Sequence, residues 1–124
     1  MEVTFANGKL ARLCSSESQM IRELGPEAAR RLGRRLQQLE AAASLAEFRH
    51  LPQVRAHQLV GDRDEQISVD LDHPRRLILE ATEPVPRAPD GGLDWEAITS
   101  VVVIEVADTH ARTLRKEPPG DRGS

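Results

Sequence analysis

Tyrosine is absent from these 124 residues, and Phe5, Phe48 and Trp95 are the only aromatic side chains. That scarcity argues against a sheet that stacks unpaired bases on aromatic rings, and it leaves Leu, Ile, Val and Ala to supply nearly all the packing. The single cysteine, Cys14, can form no internal disulfide, and no Cys/His cluster has zinc-ligand spacing. A reducing compartment and no structural metal are therefore expected. The longest apolar run, Val101 to Ile104, stops at Glu105, far short of a membrane span. The opening MEVTFANGKL also lacks a basic segment leading into an apolar one. These absences predict a soluble, cytoplasmic protein with no membrane partner. What is present suits one domain: 39% of the residues are hydrophobic and 30% charged, and a chain of this length can bury a modest core unaided.

The formal charge of -3 is unevenly spread. Residues 1–55 hold nine Lys or Arg against six Asp or Glu, whereas residues 56–124 hold eight against fourteen. A nucleic-acid partner would have to be met by the first half or by a small arginine pocket, because a uniformly basic surface is missing.

Met1 to Phe5 alternates as a short strand should, and Ala6-Asn7-Gly8 reads as a turn. From Lys9 to Leu24 the apolar residues Leu10, Leu13, Met20, Ile21 and Leu24 suit helix interrupted near Cys14-Ser15-Ser16. Gly25-Pro26 then ends one helix and starts the next. The clearest element follows, since Ala28, Leu32, Leu36, Leu39 and Ala43 fall on one stripe at 3.6 residues per turn. Arg30, Arg34 and Gln37 lie opposite that stripe, with Arg31 and Arg35 on its flank. Ser44 to Glu47 has the form of a capping box opening a short turn that Pro52 ends.

Beyond Pro52 the period changes to two. Ala56 to Leu59 is a candidate strand and Gly61-Asp62 a turn. Ile67, Val69 and Leu71 alternate with Ser68 and Asp70, as in a half-buried antiparallel strand. Asp72-His73-Pro74 turns the chain into Arg76 to Ala81, with Leu77 and Leu79 on one side and Arg76, Ile78 and Glu80 on the other. Thr82 to Asp94 is a Pro- and Gly-rich loop, Asp94 can cap a helical turn, and Val101 to Val106 reads as a central strand. One domain over residues 1–110 and a disordered tail over 111–124 are expected. The fold class that follows is α+β, with an N-terminal strand and two helices packed on one face of a small, mainly antiparallel sheet and the other face left open.

If the strands pair as the turns dictate, Ser68, Arg76 and one or both of His57 and His110 can meet on the open face. Such a set could cut RNA. A histidine takes the proton of a 2'-hydroxyl or returns one to the leaving 5'-oxygen, and an arginine neutralises the developing charge on phosphorus. This chemistry calls for no cofactor and no metal. Plainer readings stand beside it. Gly61-Asp62-Arg63 could be only a hairpin turn, Arg76 could pair with Asp70 across strands, the helix arginines could be a solvated face, and Cys14 a small buried hydrophobe.

Four segments then agree in order and spacing with one family: Arg55-Ala-His-Gln-Leu-Val-Gly-Asp-Arg63, Gln66-Ile-Ser-Val-Asp-Leu71, Pro74-Arg-Arg-Leu-Ile-Leu79 and Val106-Ala-Asp-Thr-His110. Through them the chain resembles the HigB branch of the RelE/ParE toxin superfamily, from about residue 1 to His110. The resemblance implies a RelE-like fold and a ribosome-dependent mRNA endonuclease of a type II toxin-antitoxin system. It also implies a HigA-type helix-turn-helix antitoxin as partner, a ribosome with mRNA in its A site as target, and operator DNA reached only through the antitoxin. His57, Arg76, Asp108 and His110 match the family's motif positions. His57 and His110 would transfer protons, Arg76 would clamp phosphate with Arg63 as a second clamp, and Asp108 would orient His110. The sequence departs from the family pattern at Val60, where lysine is usual, at Thr109, where tyrosine is usual, and at Ile67, where tryptophan is common. Those departures place transition-state stabilisation on Arg76, with Arg63 or Arg75, while a ridge of Arg30, Arg31, Arg34 and Arg35 would meet RNA. They also define the alternative, a non-catalytic binding protein on the same fold: a gyrase poison, or a partner that sequesters an antitoxin and co-represses its operon.

Overall fold

The computed structural model describes residues 1–61, 65–72 and 74–108. Arg63, His110 and the expected tail lie outside the described residues. Along the chain run β1 (Glu2–Phe5), α1 (Gly8–Cys14), α2 (Glu17–Leu24), α3 (Pro26–Ala41), α4 (Leu45–Arg49), β2 (His57–Gln58), β3 (Ile67–Asp70), β4 (Arg75–Ala81) and β5 (Ser100–Asp108). The protein is α+β, as the change of period from 3.6 to two predicts.

Local chemistry explains the helix boundaries. The Asn7 side chain accepts from the Leu10 amide at the start of α1, and Ser16 accepts from the Gln19 amide at the start of α2. The region expected as one interrupted helix is therefore two, parted at Ser15 and Ser16. Gly25 ends α2 at φ 87°, where a side chain would be strained, and Pro26 occupies the first position of α3. Ser44 caps α4 by accepting from the Glu47 amide, as half of the expected capping box, while the Glu47 carboxylate reaches one residue further back and accepts from the Ala43 amide at 2.6 Å instead of that of Ser44. The last carbonyls of α3 are met by the Met1 ammonium, which donates to Leu39 and Glu40 at 3.2 and 2.8 Å.

The five strands lie in the order β1-β5-β4-β3-β2. Three neighbouring pairs are antiparallel, and β1 runs parallel to β5. Ile67 and Val69 of β3, Leu77 and Leu79 of β4, and Val101 and Val103 of β5 share one face, where they close a core with Leu32, Leu39, Leu45 and Phe48. All ten are fully buried, and the hydrophobic effect acting on them fixes the register, since a slip of one residue would turn these side chains out to solvent.

Four expectations need correction. Ala43 does not continue the helical stripe, because α3 ends at Ala41 and Ala43 is exposed. Arg35, placed on the flank, is in the middle of the buried stripe formed by Ala28, Leu32 and Leu39, and is only 2% exposed. The strand expected over Ala56 to Leu59 shrinks to His57–Gln58, since Arg55 before it and Gly61 after it sit at positive φ, 51° and 77°. The second face of the sheet is not bare: Ser68, Ile78 and Ala107 are buried there. The Arg76 side chain reaches over Ser68, and a 2.8 Å hydrogen bond from Gln66 to Glu80 ties down the neighbouring long side chains.

Candidate functional site

The register brings residues distant in sequence into one row. His57 on β2 lies opposite Ser68 on β3, which lies opposite Ile78 on β4; one step further along, Asp70 faces Arg76 and Arg76 faces Ala107. Directly paired residues share a face, so His57, Ser68, Asp70 and Arg76 all project from the side away from the main core.

Arg76 is the hub of this group. Its Nε donates to Ser68 Oγ, and its Nη2 lies 2.9 Å from Asp70 Oδ1 and 3.0 Å from His57 Nε2. A guanidinium has no lone pair to offer, so the contact with His57 requires Nε2 to be the acceptor, which places the imidazole proton on Nδ1. His57 is exposed on its edge strand, whereas the Arg76 side chain keeps 29% of its exposure. The arrangement thus holds the acceptor nitrogen of an exposed imidazole against a fixed cation. Arg76 reaches His57 and pairs with Asp70 at once, so the cross-strand ion pair of the plainer reading is present.

Asp70 has a second cation. Arg55 Nη1 stands 3.7 Å from Asp70 Oδ2, and with Leu71, Pro74, Arg75 and Arg76 these two residues line a recess of about 180 Å³ at the end of β3. Arg55 carries no role in the sequence reading. It precedes the expected strand and sits at φ 51°, so strand alternation says nothing of where it points.

The other expected site residues are distributed differently. Asp108 stands opposite Arg75 at the end of β5, one step out of phase with Arg76, so the register puts it on the other face from His57. Arg75 itself lies 3.8 Å from Asp72. His110 and Arg63, the second proton carrier and second clamp, fall outside the described residues. Of the helix arginines, Arg34 is exposed, Arg30 pairs with Glu27, and Arg31 lies 3.8 Å from the same carboxylate.

Arg35 is not part of an RNA-facing ridge. Its Nε donates to the Asp70 carbonyl at 3.1 Å, Nη1 to the Gln38 side chain at 3.0 Å and Nη2 to the Gln53 carbonyl at 3.0 Å. Burial, and then repulsion from Arg31 and Arg34, lower its pKa, against the pull of Asp70. A buried guanidinium persists here because three acceptors from three segments replace its water. Its effect is architectural: it ties α3 to the strand end that carries Asp70 and to the loop that carries Arg55.

Val60, at the position where the resemblance would put lysine, is 85% exposed, and Ile67, where tryptophan is common, is fully buried. Among the described residues no three His, Cys, Asp or Glu side chains are gathered to hold a metal ion, and no helix is long and apolar enough to cross a membrane. No protein-family model matches the chain, and no curated protein matches it. The family resemblance therefore rests on its four sequence segments.

Proposed function

We propose that the protein is a HigB-like toxin that cuts ribosome-bound mRNA, with His57 as general base and Arg76 as phosphate clamp. The observation that carries this reading is the 3.0 Å contact between Arg76 Nη2 and an unprotonated His57 Nε2 on an accessible edge strand. A scissile phosphate arriving at Arg76 competes for that Nη2 group and releases the Nε2 lone pair. Nε2 then takes the proton of the adjacent 2'-hydroxyl, the 2'-oxygen attacks phosphorus, and the bond to the 5'-oxygen breaks. The leaving oxygen must receive a proton, the role proposed for His110. The products are a 2',3'-cyclic phosphate and a 5'-hydroxyl, and every atom and charge is accounted for without a cofactor. Ser68 and Asp70 hold the guanidinium in place, so little reorganisation is needed as charge builds on the phosphoryl oxygens. On this reading the partners are a HigA-type helix-turn-helix antitoxin, the programmed ribosome and, through the antitoxin, operator DNA; the location is cytoplasmic.

The second reading, a non-catalytic partner on the same fold, draws support from Asp70, which neutralises part of the Arg76 charge, and from Val60, which supplies no cation. Induction in bacteria separates the two. A nuclease stops protein synthesis first and leaves new message ends on polysomes, a gyrase poison raises DNA-damage signalling, and a sequestering partner does neither. Intact messages and normal growth from a folded, well-expressed product would reject the nuclease.

A further inference from the structure

A larger trough adjoins the recess at Arg76. It has a volume of about 530 Å³ and is lined by Arg31, Gln53, Arg55, Asp70, Leu71 and Asp72. It shares Arg55, Asp70 and Leu71 with the smaller recess, so the two adjoin along a common wall at the end of β3, with Arg31 of α3 on one side and Arg76 of β4 on the other, and together they are taken as one channel. Four arginines line that channel against two aspartates, a local positive excess on a chain whose formal charge is -3. A polyanion repelled by the molecule as a whole would find its attractive potential here.

We infer that this channel is a run of phosphate subsites for single-stranded RNA, in which Arg55 and Arg31 hold the phosphates that flank the one at Arg76. The inference rests on the nuclease reading for the identity of the strand and adds where that strand lies. Three features support it. Arg55 and Arg76 already converge on the two oxygens of one carboxylate, so cations from two segments of the chain meet at this spot. At 3.7 Å the Arg55 contact is too long for a hydrogen bond, and the side chain is 75% exposed, so its donors remain available to a ligand. Arg31 is under-satisfied: its Nε is buried with no hydrogen-bond partner, and its other contacts are long, 3.4 Å to the Leu71 carbonyl and 3.8 Å to Glu27. The loop presenting Arg55 is also fixed in place. Gln53 and Arg55 both take left-handed backbone angles, φ 71° and 51°, and the loop is pinned by Arg35 on the Gln53 carbonyl and by the Asp70 amide, which donates to the Val54 carbonyl at 3.0 Å.

The test is the binding of a fluorescent 2'-O-methyl RNA hexamer, which 2'-hydroxyl attack cannot cut, followed by anisotropy between 50 and 200 mM salt. Arg55→Gly suits φ 51° and removes only the cation, so the fold should survive it. We expect it, and Arg31→Ala, to weaken binding by roughly 3- to 10-fold and to flatten the salt dependence by about 0.7 for each phosphate no longer held. Asp70→Asn should bind more tightly, a gain that misfolding could not mimic. Unchanged affinity and salt dependence in both arginine variants would overturn the inference, as would equal competition by a hexaglutamate peptide. Cleavage of messages on programmed ribosomes is scored in parallel. An arginine-dependent affinity with no cutting by the unaltered protein would keep the subsites and reject the nuclease; cutting with no arginine dependence of binding would do the reverse.

Discussion

The two faces of β4 carry different chemistry on one strand. Leu77, Leu79 and Ala81 point into the core beneath the helices, among buried aliphatic neighbours. Arg76 and Glu80 point the other way, among Ser68, Asp70, His57 and Gln66, where directed hydrogen bonds and an ion pair cover the buried Ile78 and Ala107. Alternation with period two lets a seven-residue segment serve both purposes. The aliphatic face fixes the register, and the register in turn decides which polar groups meet. His57 reaches Arg76 because Ile67 and Val69 cannot be shifted without exposing them.

Substitutions on the two faces should therefore separate stability from function. The largest effect is expected for Leu77→Ala, which opens a cavity in a fully buried position and should cost about 2–5 kcal/mol in denaturant unfolding. Next is Arg76→Ala, which should lower message cleavage by about 10²- to 10³-fold, roughly 3–4 kcal/mol of transition-state stabilisation. Arg34→Ala, on the exposed side of α3, should change cleavage far less; equal losses at the two positions would point to a binding surface and erase the contrast. Cys14 sharpens the same division from the packed side. Burial raises its thiol from an ordinary 9.0 to about 11, and it packs against the core cluster. At pH 8 the native thiolate is then about a hundredfold scarcer than in an unfolded chain. Alkylation of Cys14 should be correspondingly slow until denaturant is added, and rapid labelling of the folded protein would show that this helix pair is not packed as described.

Much of this organisation is legible in the sequence, because the signals are local. Gly25-Pro26 marks a helix junction, Ser44 marks the cap of a short helix, and the apolar period changes after Pro52. The convergence of His57, Ser68 and Arg76 follows from turns and alternation alone. The misses are residues whose surroundings come from distant segments. Arg35 looks like a surface cation until Asp70 and Gln53, 35 and 18 residues away, supply carbonyls for it. Arg55 lies in a left-handed loop that no propensity announces, and its partner Asp70 is across the sheet. Ile78 belongs by alternation to the polar face yet is buried, next to the register shift where β4 meets β5 between Ile78 and Leu79. Asp108 falls in with the expected site residues by sequence order, whereas the strand pairing places it opposite Arg75.

The central claim is that His57 and Arg76 act together on an RNA phosphate. Its most direct test is to incubate the purified protein with ribosomes stalled on a defined message and to determine the chemistry of the new ends. The account predicts a cut in the exposed codon whose downstream fragment bears a 5'-hydroxyl, and its loss in both His57→Ala and Arg76→Ala. An uncut message with folded protein, or fragments bearing a 5'-phosphate, would contradict it.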